Sequence, residues 1–250
     1  MAISASMQGW RHCRPIISID GTFLTGHFKG CMLIACTLDV NNKIFPLAMA
    51  LVDSENDESY EWFLGNLRRA YGIRDDLVIV SDRHSSIQRA VLRVFPEVFH
   101  GFCVFHLVQN LKTRFHTNGV TGYFKLAALA YRKEDFERNM RELDSLNPAA
   151  RAYLEEVGFD RWARSLAPRS RYQLMTTNIS ESLNNVFKDV KSEPVVTIAE
   201  AFRNKCQEWF NKQREFAIST VTTLAASPEK ILRLRCNLSG AILVSFSIIL

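Results

Sequence analysis

The sequence predicts an α/β chain in which a mixed β-sheet is flanked by helices and interrupted by an all-α insertion. Three observations carry this expectation. Between Pro15 and about His100, apolar blocks follow the order strand, strand, strand, helix, strand, helix, with turn chemistry at each junction. After Gly119 the strand signals cease and residues 124–154 become rich in Ala, Leu, Arg and Glu, which suits packed helices. A long helix then runs from Ile198 to about Phe216, with an apolar stripe of Ile198, Phe202, Cys206, Trp209 and Phe216.

In chain order, residues 16–19 are a short β-branched run ending at Asp20-Gly21. Residues 32–40, closed by Asn41-Asn42, and residues 44–52 follow, so the first three strands form an antiparallel meander. Residues 60–71 place Trp62, Phe63 and Leu67 on one helical face, and Gly72 is the stop signal. Residues 77–80 are continuously apolar, as in a strand buried on both faces. Ile87, Val91, Val94 and Phe95 recur at helical spacing until Pro96. Another apolar stretch, residues 98–104, leads into a helix through Leu107, Leu111 and Phe115. The long helix opens on Thr197-x-x-Glu200, a capping-box spacing.

With 250 residues, 47% of them hydrophobic, the chain is long enough to bury a sizeable core. Its formal charge of +5 suits a polyanionic partner without requiring one. The six cysteines contain no Cys-x-x-Cys pair, and no secretory leader is visible, so a reducing compartment is expected. Residues 241–250 are almost wholly apolar but are half the length of a membrane span, which needs about 20 residues. No membrane partner is expected.

Three carboxylates sit where such a fold would gather them: Asp20 leaving the first strand, Asp82 leaving the fourth, and Glu181 opening a helix after the insertion. In sheets of this kind the first and fourth strands lie side by side. The resulting negative charge in a partly dry site calls for cations, and hard carboxylate oxygens suit Mg²⁺ or Mn²⁺. Two such ions, about 3.5–4 Å apart, activate a water and stabilise the leaving oxygen in phosphodiester cleavage. Each acid also fits a local role. Asp20 before Gly21 reads as a turn, Asp82 as a cap for the helix near Ser85, and Asn178-x-x-Glu181 as a capping box.

Longer motifs narrow the choice. Pro15-Ile-Ile-Ser-Ile-Asp20-Gly-Thr-Phe, Lys29-Gly30, Phe45-Pro46-Leu47-Ala48, Trp62-Phe63-Leu64, Val80-Ser81-Asp82-Arg83, Phe95-Pro96, Cys103-x-x-His106-Leu107 and Asn110 occur in that order, followed by Thr176-Thr-Asn-Ile-Ser-Glu181-Ser-Leu-Asn184. Over roughly residues 15–215 this series resembles the Mutator-like element (MULE) transposase domain of the DDE superfamily. The resemblance implies an RNase H-like core with a helical insertion before the catalytic glutamate. It also implies a triad of Asp20, Asp82 and Glu181 holding two Mg²⁺ or Mn²⁺ ions, and cleavage and transfer of DNA strands by an oligomer in the nucleus. The family's usual histidine after Asp-Gly-Thr is Phe23 here.

Cys103 and His106 match the family's Cys-x-x-His motif, which implies support of the active site. Their spacing would supply half a zinc site, but no second pair is visible nearby and zinc is not expected; Cys103 also fits a buried core position. Arg161, Arg164, Arg169 and Arg171 interleave with Trp162 and Tyr172, a pattern suited to gripping phosphates and stacking on bases, or equally to a solvated helix end with Trp162 packed inward.

These readings partition the chain into an N-terminal remnant (1–14), the first part of the core (15–118), the helical insertion (119–175), the C-terminal helices of the core (176–225) and an aberrant or truncated tail (226–250). The rival functional expectation is a domesticated, non-catalytic DNA-binding regulator on the same fold. A minimal RNase H is disfavoured because it needs no domain between Asp82 and Glu181.

Overall fold

A computed structural model describes residues 1–172 and 174–239; the apolar segment 241–250 lies outside them. Five strands form one sheet in the order β3-β2-β1-β4-β5. They are β1 (Ile16–Phe23), β2 (Cys31–Leu38), β3 (Ile44–Val52), β4 (Val78–Ser81) and β5 (Phe99–Phe102). The first three pair antiparallel, as the turn signals predict, whereas β4 and β5 join parallel to β1 and to each other. Parallel pairing requires crossovers, and helices α2 (Asp57–Tyr71) and α3 (Ser85–Val94) supply them. This strand order and these directions are RNase H-like. A short N-terminal helix, α1 (Ser4–Gly9), lies beside β3, and the main-chain nitrogen of Met49 bonds the Met1 carbonyl.

Period-2 alternation sorts the sheet's two faces. Leu33 and Ala35 of β2, with Ile17 and Ile19 of β1, pack with Tyr60, Phe63, Leu64 and Leu67 of α2 and with Ile87 and Val91 of α3. Met32, Ile34 and Cys36 face the opposite side. There they meet Leu183 and Phe187, around the end of α9 (Asn178–Val186), and Ile198, Phe202 and Cys206 of α10 (Val195–Ser219). A separate apolar cluster joins α4 (Val104–Phe115) to the insertion helices α5 (Val120–Leu129), α6 (Lys133–Leu146), α7 (Pro148–Val157) and α8 (Phe159–Trp162). The final described helix, α11 (Ala226–Ser239), has no buried residue.

Several local expectations are corrected. Asp20 lies inside β1 rather than at its end, because pairing with β2 continues through Asp20↔Ile34 to Phe23↔Cys31. Gly21 is therefore a strand residue, and a Cβ there would lie 1.8 Å from Glu55 Oε1 and 2.8 Å from the Tyr60 hydroxyl. Helix α2 starts at Asp57 because the Asn56 side chain caps the Ser59 main-chain N–H at 2.8 Å. Trp62 is 56% exposed, off the apolar face that buries Phe63 and Leu67. Helix α10 begins at Val195 after Pro194 with no side-chain cap, so Thr197-x-x-Glu200 falls within the helix and forms no capping box at its start. Phe216 near its end is 46% exposed, since the stripe outruns the sheet it packs on.

The buried His100 of β5 lies with Nε2 2.8 Å from Ser81 Oγ on β4. Burial, then the charges of Arg161 and Arg171, hold its imidazole down to about 3, so it stays neutral in the fold. The unfolded chain takes up that proton near 6.5, so the stability His100 contributes is fully present above that pH and is lost as pH falls toward 3. His100→Gln is expected to flatten the decline in denaturant midpoint between about pH 7 and about pH 5. An unchanged slope would show that His100 does not carry it.

Candidate active site

Alternation along β1 turns Ser18, Asp20 and Thr22 toward α9 and the turn behind it, and each finds a polar partner there. Ser18 Oγ lies 2.7 Å from Ser180 Oγ, and both side chains are buried. Asn184 Nδ2 donates to Asp20 Oδ2 at 2.6 Å, and Lys191 Nζ donates to Thr22 Oγ1 at 2.8 Å. Ser180 and Asn184 are four apart on one face of α9, so one helix and one strand meet along a polar seam.

Parallel register places the second carboxylate. The pairing ends with Ser18 level with Val80; Asp20 stands two residues further along β1, and Asp82 follows directly on the end of β4 at Ser81. Asp82 accepts the His84 main-chain N–H at 3.0 Å, the bond that turns the chain into α3. Asp82 thus makes a turn bond ahead of α3 rather than the expected cap, since the helix N-cap is His84 and no side chain caps it. Glu181 sits in the first turn of α9, and its Oε1 accepts from Thr177 Oγ1 at 2.9 Å.

The three acids share one field. Burial first, then the negative charges of Glu181 and Asp82, push the Asp20 carboxyl up to about 7 against the lowering hydrogen bond from Asn184. Asn184 Oδ1 is buried beside this group and has no hydrogen-bond partner among the described residues. A half-buried carboxylate cluster and an orphaned amide oxygen form an all-oxygen donor set, the chemistry that Mg²⁺ and Mn²⁺ accept. Asp20, Asp82, Glu181 and the Asn184 amide oxygen are the groups that would hold such ions.

Cys103 stands at the N-cap position of α4, and His106 lies one turn further on. Cys103 Sγ accepts from the main-chain nitrogen of Thr177 at 3.2 Å and from its hydroxyl at 3.3 Å. Burial pushes the thiol up, but hydrogen bonds from His106 and Thr177 together outweigh it and hold Cys103 below its ordinary value. The same contact with Cys103 raises His106 to about 9 against burial, with help from Asp82 and Glu181. The Cys-x-x-His pair therefore adjoins the carboxylates, with Thr177 between them.

The arginine-rich segment is corrected in two places. Trp162 is fully buried among Phe124, Phe136 and Phe159, its indole N–H donating to the Leu154 carbonyl at 3.3 Å. Arg171 is 2% exposed, and its guanidinium donates to the carbonyls of Phe102 (2.8 Å), Arg161 (3.0 Å) and Met175 (3.4 Å). Neither reaches a surface where DNA would lie. Arg161 donates to the His100 carbonyl at 3.1 Å, and Arg164 donates to the Leu129 carbonyl while stacking 4.4 Å from the Tyr131 ring centroid. Arg164 and Arg169 line an open cleft with Arg14 and Tyr172, while Arg161 lines a different one beside β5.

Sequence reasoning missed Thr177 and Asn184, which bond Glu181 and Asp20, and the neighbouring polar pairs Ser18–Ser180 and Lys191–Thr22. Thr177 and Asn184 lie inside the motif around Glu181, four before and three after it, so helical spacing was the available signal. Lys191 had none.

Arg171→Met is expected to lower stability by at least about 3 kcal/mol, because three buried carbonyls lose a charged donor. Arg169→Ala, at a half-buried position with no side-chain hydrogen bond or ion pair among the described residues, should cost less than about 1 kcal/mol in the same denaturant titration.

A family model described as the MULE transposase domain matches residues 16–110. Among curated relatives, the PKS-NRPS hybrid synthetase cheA of Chaetomium globosum is 23% identical over 77% of this chain and 4% of its own length. The Arabidopsis thaliana protein FAR-RED IMPAIRED RESPONSE 1 is 24% identical over 54% of this chain and 17% of its own. The chain spans about a quarter or less of the length of the curated relatives it matches. The Mos1 transposase catalytic domain, solved with raltegravir and Mn, covers 67% of this chain and 90% of its own at 16% identity and a TM-score of 0.29, too slight a likeness to bear on function. The matched segment contains Asp20 of β1, Asp82 just after β4, Cys103 at the N-cap of α4 and His106 in that helix. Over residues 16–110, the chain is similar to the MULE transposase domain.

Proposed function

We propose that this chain is the catalytic domain of a DDE-type DNA transposase, cutting and joining DNA strands at Asp20, Asp82 and Glu181. The observation that carries the reading is the half-buried Asp20, whose carboxyl is pushed up to about 7 first by burial and then by the charges of Glu181 and Asp82, next to an amide oxygen without a hydrogen-bond partner among the described residues. A fold that gathers like charges without a cation would work against its own stability. Divalent ions held there would supply Lewis-acid activation of the attacking oxygen and neutralise charge at the leaving one.

The chain's own residues do the positioning. Asp20 lies on β1 and Asp82 follows directly on the end of β4, which pairs with β1 up to Ser18↔Val80, so the sheet holds the two segments side by side. Asn184 holds Asp20 and Thr177 holds Glu181, so two of the acids keep fixed rotamers. In the hydrolytic step, water attacks the phosphorus and the bond to the 3′ oxygen breaks, leaving a 3′-hydroxyl and a 5′-phosphate. In the joining step, that 3′-hydroxyl displaces a 3′ oxygen of target DNA by the same in-line geometry. Arg14, Arg164 and Arg169 border a cleft suited to DNA phosphates. A DNA substrate places the protein in the nucleus, and the pairing of two transposon ends calls for an oligomer.

A second reading, a domesticated non-catalytic DNA-binding regulator, is favoured by one observation. The name of the Arabidopsis relative states a response and no enzymatic activity. Mn²⁺-dependent cleavage of DNA decides between them. Asp20→Asn, Asp82→Asn and Glu181→Gln are each expected to abolish cleavage while circular dichroism stays that of the parent. Saturating Mn²⁺ at about 100 times its Kd should also raise the parent's stability by about 2.7 kcal/mol, with little effect on Asp20→Asn/Asp82→Asn. Sequence-specific DNA binding with no cleavage by the parent chain would establish the regulator instead.

A further inference from the structure

Among the described residues, one group of three ligand-bearing side chains converges: Cys103, His106 and Glu181 each present an atom within 4.8 Å of the other two. Cys103 and His106 come from one turn at the start of α4, and Glu181 from the first turn of α9. The Thr177 hydroxyl lies 2.9 Å from Glu181 Oε1, 3.3 Å from Cys103 Sγ and 3.5 Å from His106 Nδ1, so all three face a common point. Cys103 is 1% exposed and the other two are half-buried, which leaves a side of the group open to solvent.

This donor set differs from that of Asp20 and Asp82. It contains a sulfur and a nitrogen, which Mg²⁺ does not favour and which Zn²⁺ binds at about 2.3 Å and about 2.0–2.1 Å, alongside carboxylate oxygen at about 2.0–2.2 Å. Tetrahedral bonds of those lengths put neighbouring ligand atoms about 3.4–3.6 Å apart, so each atom needs to move by roughly 1 Å or less to close on an ion. Three protein ligands and a fourth place open to water make a complete zinc shell. The Cys-x-x-His spacing alone offered half of one; α9 brings the missing ligand from 75 residues further along the chain.

We propose that Cys103, His106 and Glu181 form a site for a single soft divalent ion of the zinc class, distinct in chemistry from the all-oxygen cluster and sharing Glu181 with it. Occupancy by zinc withdraws Glu181 from Asp20 and Asp82. That consequence, inhibition of strand cleavage by zinc, rests on the functional reading above; the zinc affinity itself does not.

The test uses the purified, untagged, chelator-stripped chain. Zn²⁺ is titrated in competition with a chromophoric chelator, and Co²⁺ then serves as a spectroscopic substitute. The expected result is one equivalent per chain with a thiolate-to-cobalt charge-transfer band. Cys103→Ser and His106→Gln should each lose the band and weaken Zn²⁺ binding by more than about tenfold, while Cys236→Ser, at an exposed thiol, keeps both. Zn²⁺ binding that survives Cys103→Ser and His106→Gln, or no binding by the parent, overturns the site. Circular dichroism checks each variant, and His106→Gln stands alone should Cys103→Ser unfold. If Mn²⁺-dependent cleavage persists without stoichiometric zinc binding, the zinc site fails and the transposase reading stands. The cobalt band without any cleavage upholds the zinc site and removes the transposase reading.

Discussion

The parallel pairing of β1 with β4 is the constraint on which the candidate active site depends. Neighbouring parallel strands keep equivalent residues level, so the match of Ser18 with Val80 brings Asp20 of β1 and Asp82, just past β4, to the same end of the sheet. The pairing also forces the chain to cross over between the two strands, and β2, β3 and α2 fill that excursion. The apolar residues of β1 and β4 that lock the register, Ile16, Ile17, Val78, Ile79 and Val80, are all buried. A slip of one residue would turn every β1 side chain to the opposite face and carry Asp20 away from α9.

The third acid arrives by a different route, and the insertion governs it. Helices α5 to α8 have their own apolar core around Phe124, Phe136 and Trp162, shared with α4. Arg171 ties this unit to the sheet, bonding Phe102 at the end of β5, Arg161 at α8 and Met175 just before α9. The Val104 main-chain nitrogen bonds the Met175 carbonyl from the other side. Burying a guanidinium costs several kcal/mol unless its donors are met; here carbonyls meet both terminal nitrogens, while Nε has no partner among the described residues. Arg171 therefore acts on the site through the backbone that leads into Thr177 and Glu181, rather than through DNA.

The polar seam between β1 and α9 is partly legible in the sequence. Asp20, Asp82, Glu181, Cys103 and His106 all stand out because they are chemically distinctive residues at junctions of recognisable patterns. Thr177 and Asn184 do not, because a threonine or asparagine near a helix start is ordinary capping chemistry in any sequence. Arg171 and Trp162 mislead for a related reason: arginine beside an aromatic ring has the same composition on a DNA-binding surface and in a buried carbonyl cage.

What the sequence by itself determined is the alternation of strands and helices, the antiparallel meander and the change to all-α character after Gly119. Each of these depends on local periodicity or turn chemistry, which neighbouring residues express without the rest of the chain. Only the tertiary structure decided that β1 continues through Asp20, that α10 starts before its capping-box motif, that Glu181 stands within reach of both Asp20 and the Cys103–His106 pair, and that Arg171 points inward. The last two outcomes depend on partners 69 to 164 residues away in the chain, through contacts such as Arg171 with Phe102 and Asn184 with Asp20. Strand length depends on the neighbouring strand, and a charged side chain's direction depends on which acceptors the fold brings to it, so neither is written into a local window of sequence.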